Sequence, residues 1–241
     1  INRKPIGDGS AHIKNGNAAL YNNSEFATII PLETCDIELE FDLGEQNCGY
    51  ISFDVEAGAG AEIDLFMVEY VAPNGDVQHT LSHRNGFRYI CKEGWNSFVS
   101  LKRRSGRYLF LTLRNARKPV KLRRLGFIES TYPVEYKGSF RSHDNEYSRI
   151  YDISARTLKL CMEDTLTDCP LYEKTLWIGD MRNEALFTYP IFGAEELIRR
   201  CIRIGGESLE RYPLVGAQVP SSWDMLIPAW SFLWGISTWD Y

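Results

Sequence analysis

Long apolar runs are missing from this 241-residue sequence, and with them the roughly 18 consecutive apolar residues that a helix needs to cross a bilayer. No membrane span is expected. Histidine is scarce: His12, His79, His83 and His143 are the four, and none follows residue 143. The six cysteines (Cys35, Cys48, Cys91, Cys161, Cys169 and Cys201) form no C-x-x-C pair and have no histidine at ligand spacing. Zinc patterns are thereby excluded, and neither a metal nor a cofactor is expected. The cysteines read as buried free thiols. No basic and apolar leader follows Ile1, so no signal peptide is expected, and the compartment is left open. A net charge of −5 lacks the cationic footprint of a nucleic-acid binder. With 44% hydrophobic and 24% charged residues, disorder is excluded too.

What is present is unevenly placed. No Lys or Arg occurs between Lys14 and Arg84, while acids crowd residues 25–69. Lys102 to Arg124 then carries ten basic residues and no acid. Acidic and basic strands lying side by side, with charges paired across a solvated face, account for this better than a nucleic-acid patch. The strands themselves are legible. Ile37, Leu39, Phe41 and Leu43 alternate with Asp36, Glu38, Glu40 and Asp42, a period of two that marks a strand with one buried face. Ile51, Phe53, Val55 and Ile63, Leu65, Met67 repeat the pattern. Asn74-Gly75 marks a hairpin turn. Further strands read at 97–102, 107–114 and 120–128. Short strands at this spacing predict an antiparallel β-sandwich over residues 1–135.

After Tyr132-Pro133 the period turns helical, and five of the six tryptophans lie there. A first helix is expected from Asn145, capped by His143-Asp144 and stopped before Pro170. A second is expected from about Met181 to Phe192 and a third over about Ala194–Arg211. A loop covers Tyr212–Ser222, and a fourth helix starts near Trp223. Trp230, Trp234 and Trp239 read as core. Trp223 precedes its helix and is the tryptophan best placed to face a pocket. Arg199, Arg200 and Arg203 read as a solvated helix face.

One segment carries chemistry. Asp164, Asp168, Glu173, Asp180 and Glu184 fall within 21 residues, and Pro170 breaks the helix among them. Asp168 to Asp180 is therefore mostly loop, with Trp177 and Gly179 inside it. Apolar neighbours desolvate a carboxyl, raise its pKa and make it a usable acid near neutrality. Tryptophan faces accept sugar rings, and carboxylates accept their hydroxyl hydrogen bonds. Together these point to a glycosidase, which needs two carboxyl groups across the scissile bond. Plain structural roles compete: Asp168 as a cap at the break, Glu173 as an exposed loop acid, Asp180 as a helix N-cap.

The run Asp168-Cys169-Pro170-x-x-Glu173-x-x-x-Trp177-x-Gly179-Asp180 resembles the signature loop of bacterial α-L-rhamnosidases, glycoside hydrolase family 78. Gly138-Ser139-Phe140, Arg156-Thr157-Leu158, Asp164-Thr165, Ile227-Pro228-Ala229-Trp230-Ser231 and Trp239-Asp240-Tyr241 are also similar to that family. The resemblance covers residues 133–241. It implies inverting removal of terminal α-L-rhamnose in an (α/α)6 barrel, with a rhamnose-containing oligosaccharide or glycoside as partner. It implies Glu173 as general acid, Asp168 and Asp180 as ligands of the rhamnose hydroxyls, and Trp177 as pocket wall. Arg182 and Trp223 are further pocket candidates. Tyr172 departs from the family, which has Arg there, and leaves that sugar contact open.

A twelve-helix barrel needs on the order of 200 residues. Residues 136–241 are therefore expected to hold only the first helices of an incomplete (α/α)6 barrel. None of Glu184, Glu195, Glu196, Glu207 and Glu210 matches the family's general base, so the chain alone is expected to be hydrolytically dead. Two other readings stay open. One is a lectin-like binding module using sandwich loops Val71–Thr80 and Ser82–Arg88. The other is an (α/α)6 glycosidase for another sugar. The oligomeric state is not legible.

Overall fold

The computed structural model describes residues 11–77 and 85–241. Of the loops expected for a lectin-like site, residues 78–80 of the first and 82–84 of the second lie outside the described residues, while 86–88 belong to a strand. The chain divides into two compact units, Ile1–Ser130 and Thr131–Tyr241.

The first unit is an antiparallel β-sandwich. Its strands are β1 (Ile13–Lys14), β2 (Ala27–Ile29), β3 (Ile37–Ala57), β4 (Glu62–Val68), β5 (Gly86–Ile90), β6 (Gly94–Val99), β7 (Arg104–Arg114) and β8 (Val120–Glu129). They pair in the order β1-β2-β8-β3-β7-β4-β5, and β6 also pairs with β3. The alternation at 37–43 and at 51–55 belongs to one 21-residue strand rather than two. Gly44, at φ +81°, lets the backbone bulge between Asp42 and Asn47 without ending the strand. The first half of β3 then pairs with β7, and the second half with β6 and β8. Alternate side chains point inward, so Ile37, Ile51, Phe53, Val55, Ile63, Leu65, Met67, Leu109 and Leu111 form the core.

The acidic and basic strands do lie side by side. Arg107 on β7 makes a bidentate pair with Asp42 on β3 at 2.7 and 2.8 Å. Arg88 on β5 pairs in the same way with Asp64 on β4, at 2.7 and 2.9 Å. Arg114 bridges Asp36 and Asp64, and Lys121 meets Glu56.

The second unit holds α1 (Asn145–Leu160), α2 (Ile178–Ile191), α3 (Glu195–Glu207) and α4 (Pro228–Asp240). Asp144 caps α1 as expected, its Oδ1 accepting the Glu146 N–H at 2.9 Å. The helix ends at Leu160, well before Pro170. Thr167 stops it: its N–H and its hydroxyl both donate to the Cys161 carbonyl, at 2.8 and 2.9 Å, and fold the chain back. α4 starts at Pro228 rather than near Trp223, with proline in the first turn, where its missing N–H costs nothing. α3 stops at Glu207, and a short 3-10 turn covers Ser208–Glu210.

Two tryptophans of α4 lock the helices together. Trp230 lies on Gly179 of α2, where a Cβ would fall 2.4 Å from its indole ring. Trp234 lies on Gly205 and Gly206 of α3, and its N–H donates to the Ile202 carbonyl at 2.8 Å. Trp239, expected in the core, is 89% exposed. The boundaries of α2, α3 and α4 thus differ from the sequence reading at one end or both, while α1 starts at Asn145 and stops before Pro170 as expected.

Candidate active site

The loop between α1 and α2 is built around Asp168. Its N–H donates to the Thr175 carbonyl at 3.1 Å, and its Oδ1 accepts the Thr175 N–H at 3.0 Å. This closes residues 168–175 into a ring of chain. Within it, the Glu173 N–H donates to the Cys169 Sγ at 3.3 Å, and Lys174 takes a left-handed φ of +54°. Glu173 is thereby carried to the loop's exposed side. Asp168 does act structurally, as one of the plain readings expected; it is half-buried, and the Cys169 thiol also hydrogen-bonds to its carboxyl.

The next residues are held from the other side. The Ile178 N–H donates to the Ala217 carbonyl at 2.9 Å, and the Val219 N–H to the Leu176 carbonyl at 3.0 Å. This short antiparallel bridge pairs Trp177 with Gln218. It also starts α2 at Ile178, three residues earlier than expected. Asp180 is therefore not the N-cap. Trp177 occupies that position, and Asp180 sits in the first turn, where the helix dipole favours a negative charge.

The arrangement brings five of the six expected residues together. The Trp177 indole N–H donates to Glu173 Oε2 at 2.6 Å. Trp223 stands edge-on to Trp177, with ring centroids 6.3 Å apart, and is 47% exposed. Asp180 is electrostatically coupled to both Asp168 and Glu173. Its carboxyl is raised above the usual range, first by lost hydration and then by those two negative charges, although the residue as a whole is exposed. Arg182 is not drawn in: its Nε donates to Asp240 Oδ2 of α4 at 3.0 Å.

Sequence reasoning passed over Glu184 as a site residue. It lies one turn beyond Asp180 on the same face of α2. Burial, and then the charges of Asp180 and Asp168, push its carboxyl up to about 8, so it is mostly neutral at pH 7. Its Oε2 is buried without a hydrogen-bond partner. The i, i+4 spacing from Asp180 was the available signal. Gln218 was missed as well. It is 3% exposed, and neither end of its amide finds a partner. Trp177 and Gln218 face each other between the two bridging hydrogen bonds, so their side chains leave the ladder on the same side. No sequence pattern marks that pairing. Among the described residues, no group of three or more His, Cys, Asp or Glu is placed to hold a metal ion.

What this cluster can do follows from its composition. It offers an exposed carboxyl with a hydrogen-bond donor on one oxygen, flanked by two further carboxylates and two indole rings. Such a site can deliver a proton while binding a hydroxyl-rich ring.

Comparison with known proteins agrees in extent with both units. The model of the bacterial alpha-L-rhamnosidase concanavalin-like domain matches residues 33–145. That of the bacterial alpha-L-rhamnosidase 6 hairpin glycosidase domain matches residues 135–241. A GH78 family rhamnosidase of Bacillus sp. GL1 is 45% identical, with a TM-score of 0.88 over 91% of this chain and 23% of its own. The α-L-rhamnosidase of Dictyoglumus thermophilum is 19% identical, with a TM-score of 0.72 over 84% of this chain and 24% of its own. A rhamnosidase from Klebsiella oxytoca with rhamnose bound is 22% identical, with a TM-score of 0.65 over 93% and 46%. The last two likenesses show the fold alone. The chain spans about a quarter of the length of the first two. A search of curated proteins finds no match.

Proposed function

Because the chain belongs to the bacterial α-L-rhamnosidase family, we propose that it supplies the acid side of a site that removes terminal α-L-rhamnose from glycosides with inversion. One observation carries this reading: Glu173 is presented on an exposed loop, with one oxygen held by Trp177 and with Asp168 and Asp180 close enough to act on each other electrostatically. Glu173 is the general acid that protonates the leaving oxygen. Asp168 and Asp180 accept the rhamnose hydroxyls, and Trp177 and Trp223 wall the ring. Arg182, already held by Asp240, stays at the margin.

Inversion needs a second carboxylate across the sugar, roughly 6.5–9.5 Å from the first, to activate water. No residue of this chain is assigned that role, and the isolated chain is accordingly expected to bind rhamnose without turning it over. Steady-state assay of an aryl α-L-rhamnoside with the 241 residues alone checks this, and turnover comparable with a complete family member would overturn it.

The acid role is tested with Glu173→Gln in the full-length polypeptide. Natural glycosides, whose alkoxide leaving groups need a proton, should lose about 10²–10⁴-fold in kcat. Aryl rhamnosides should lose far less, because phenolates depart unaided. Equal losses on both substrates would count against the role. Binding separates the site from a lectin-like site on the sandwich: Asp168→Ala should abolish rhamnose binding by this chain, and unchanged binding would place the sugar on the sandwich.

A further inference from the structure

We propose that Trp177 acts on the general acid through its N–H edge: the indole fixes Glu173 Oε2 as an acceptor, reserves Oε1 for the transferable proton, and stabilises the carboxylate left when that proton departs. This rests on the reading of Glu173 as the acid, and it assigns Trp177 a task different from that of a wall for the sugar.

The direction of control follows from how the two residues are held. Trp177 is anchored on both flanks, by the Ile178 N–H on the Ala217 carbonyl at 2.9 Å and the Val219 N–H on the Leu176 carbonyl at 3.0 Å. Its own carbonyl accepts the Met181 N–H at 2.9 Å and so opens α2. Gln218 faces it from the partner segment and is itself buried. Glu173 is held at its backbone, where its N–H donates to Cys169 Sγ at 3.3 Å, but its side chain has less support. It is exposed, beside a left-handed Lys174, and the indole is the partner that its carboxyl finds. A rigid donor thus holds a loosely held acceptor, and the indole sets where the carboxyl points.

The protonation pattern then follows from hydrogen-bond chemistry. An indole nitrogen donates and never accepts. The oxygen it meets must offer a lone pair, which in a neutral carboxylic acid is best supplied by the carbonyl oxygen. With Oε2 in that role, the proton sits on Oε1. In the reaction, the Oε1–H bond breaks as the proton bonds to the glycosidic oxygen. The bond from C1 to that oxygen breaks, and the aglycone leaves as an alcohol. Water forms the new bond to C1 and yields a proton to the opposing base. Glu173 ends as a carboxylate, and its bond to the indole becomes charge-assisted, and so stronger than before transfer. The N–H therefore favours the transition state over the ground state, which is the condition for accelerating the step.

Trp177→Phe keeps an aromatic face and removes the donor. In the full-length polypeptide, kcat on unactivated rhamnosides should fall roughly tenfold to a hundredfold, the worth of one hydrogen bond to a charged group. KM should stay within about twofold, and activated aryl rhamnosides should lose less than about threefold in kcat. A rise in KM on both substrates with kcat unchanged would overturn the proposal and leave Trp177 as a wall only. A second arm needs no activity. In the 241-residue chain, the indole 1H–15N resonance missing from Trp177→Phe identifies Trp177. That resonance should move in Glu173→Gln, because an amide replaces the carboxyl group that accepts the indole N–H. An unmoved resonance would overturn the proposal even if the enzyme proves to be a rhamnosidase. A moved resonance with no rhamnoside cleavage by the full-length polypeptide would instead reject the function and keep the contact.

Discussion

Acids in the two units meet opposite fates. In the sandwich, Asp42 and Asp64 each sit against an arginine fork, and Arg107 and Arg88 hold their carboxyls below the usual range. Glu93 is lowered in the same way by Lys118. In the helical unit, Asp180 and Glu184 are raised, and the charges acting on them are other carboxylates. Both units carry dense acid and both pair acids with arginines, as Arg182 does Asp240 and Arg203 does Glu207, but Asp180 and Glu184 are pressed by other carboxylates. A fold has no use for carboxylates crowded against each other, since the repulsion opposes compaction. Crowding of this kind around Asp168 and Glu173 is what the proposed acid site calls for. The contrast also explains why the ten basic residues at 102–124 were no clue to a ligand: Arg107, Arg114, Lys121, Arg123 and Arg124 among them are counterions of acids on β3 and β4.

The largest effect expected on the fold itself lies where α4 meets the acid-bearing helix. Gly179→Ala puts a methyl 2.4 Å from the Trp230 indole, closer than any real contact, and the obstacle is a rigid ring. Overpacking of this kind costs about 1–3 kcal/mol. Thermal unfolding of the helical unit should shift down by several degrees. Rhamnose binding should weaken with it, because the first turn of α2 carries Asp180. An unchanged melting temperature would mean that α4 can slide off Gly179, and that the glycine in the signature serves the ligand rather than the packing.

These residues also show how far the sequence could be read. Alternation exposed the strands because burial of one face imposes it directly. It did not reveal that β3 is continuous, since Gly44 looks like a turn until the pairing with β7 is known. The acid loop was legible as a pattern of Asp168, Glu173, Trp177 and Asp180. Its far exit was misplaced, and its near exit, which does lie before Pro170, is set by a different residue. Thr167, not Pro170, ends the preceding helix, through a hydroxyl bond to the Cys161 carbonyl. The bridge between Leu176–Ile178 and Ala217–Val219 starts α2 early, and that pairing joins segments some 40 residues apart, which no local pattern encodes. Glu184 and Trp239 fail in the same sense, for burial is decided by what packs against a helix and not by the helix's own period.

A pH-dependent effect of intermediate size should appear at Glu184. Its folded pKa, about 8, lies above the value of about 4.3 for an unfolded glutamate. The folded state therefore binds more protons than the unfolded state between those values, and stability falls as pH rises through that window. Glu184→Gln removes the ionisation. The variant should match the wild type near pH 4 and exceed it at pH 8, by a margin that grows as pH rises through that window. Urea midpoints of the chain across that range measure it. A constant difference at all pH values would show that the carboxyl is not held neutral, and would erase half of the contrast between the units.

The sandwich supplies the smallest effect and the sharpest control. Arg107 and Asp42 are both well exposed, at 39% and 45% of their side-chain surface, although their geometry is bidentate. Water screens such a pair, and ordering two flexible side chains offsets much of the attraction. Arg107→Ala should therefore lower the urea midpoint only slightly, and part of that loss comes from the Tyr108 ring that the guanidinium covers at 4.9 Å. Arg107→Lys keeps the charge and gives up the fork, so a midpoint between the wild type and the alanine variant would separate charge from geometry. Raising salt to about 1 M, where the Debye length is near 3 Å, should erase the charge component and leave the packing component. Asp42 should titrate at higher pH in the alanine variant, since the arginine is what holds it down. If Arg107→Ala instead cost as much as Gly179→Ala, surface pairing would be structural currency in this sandwich, and neutralised acid would no longer mark a region as inert.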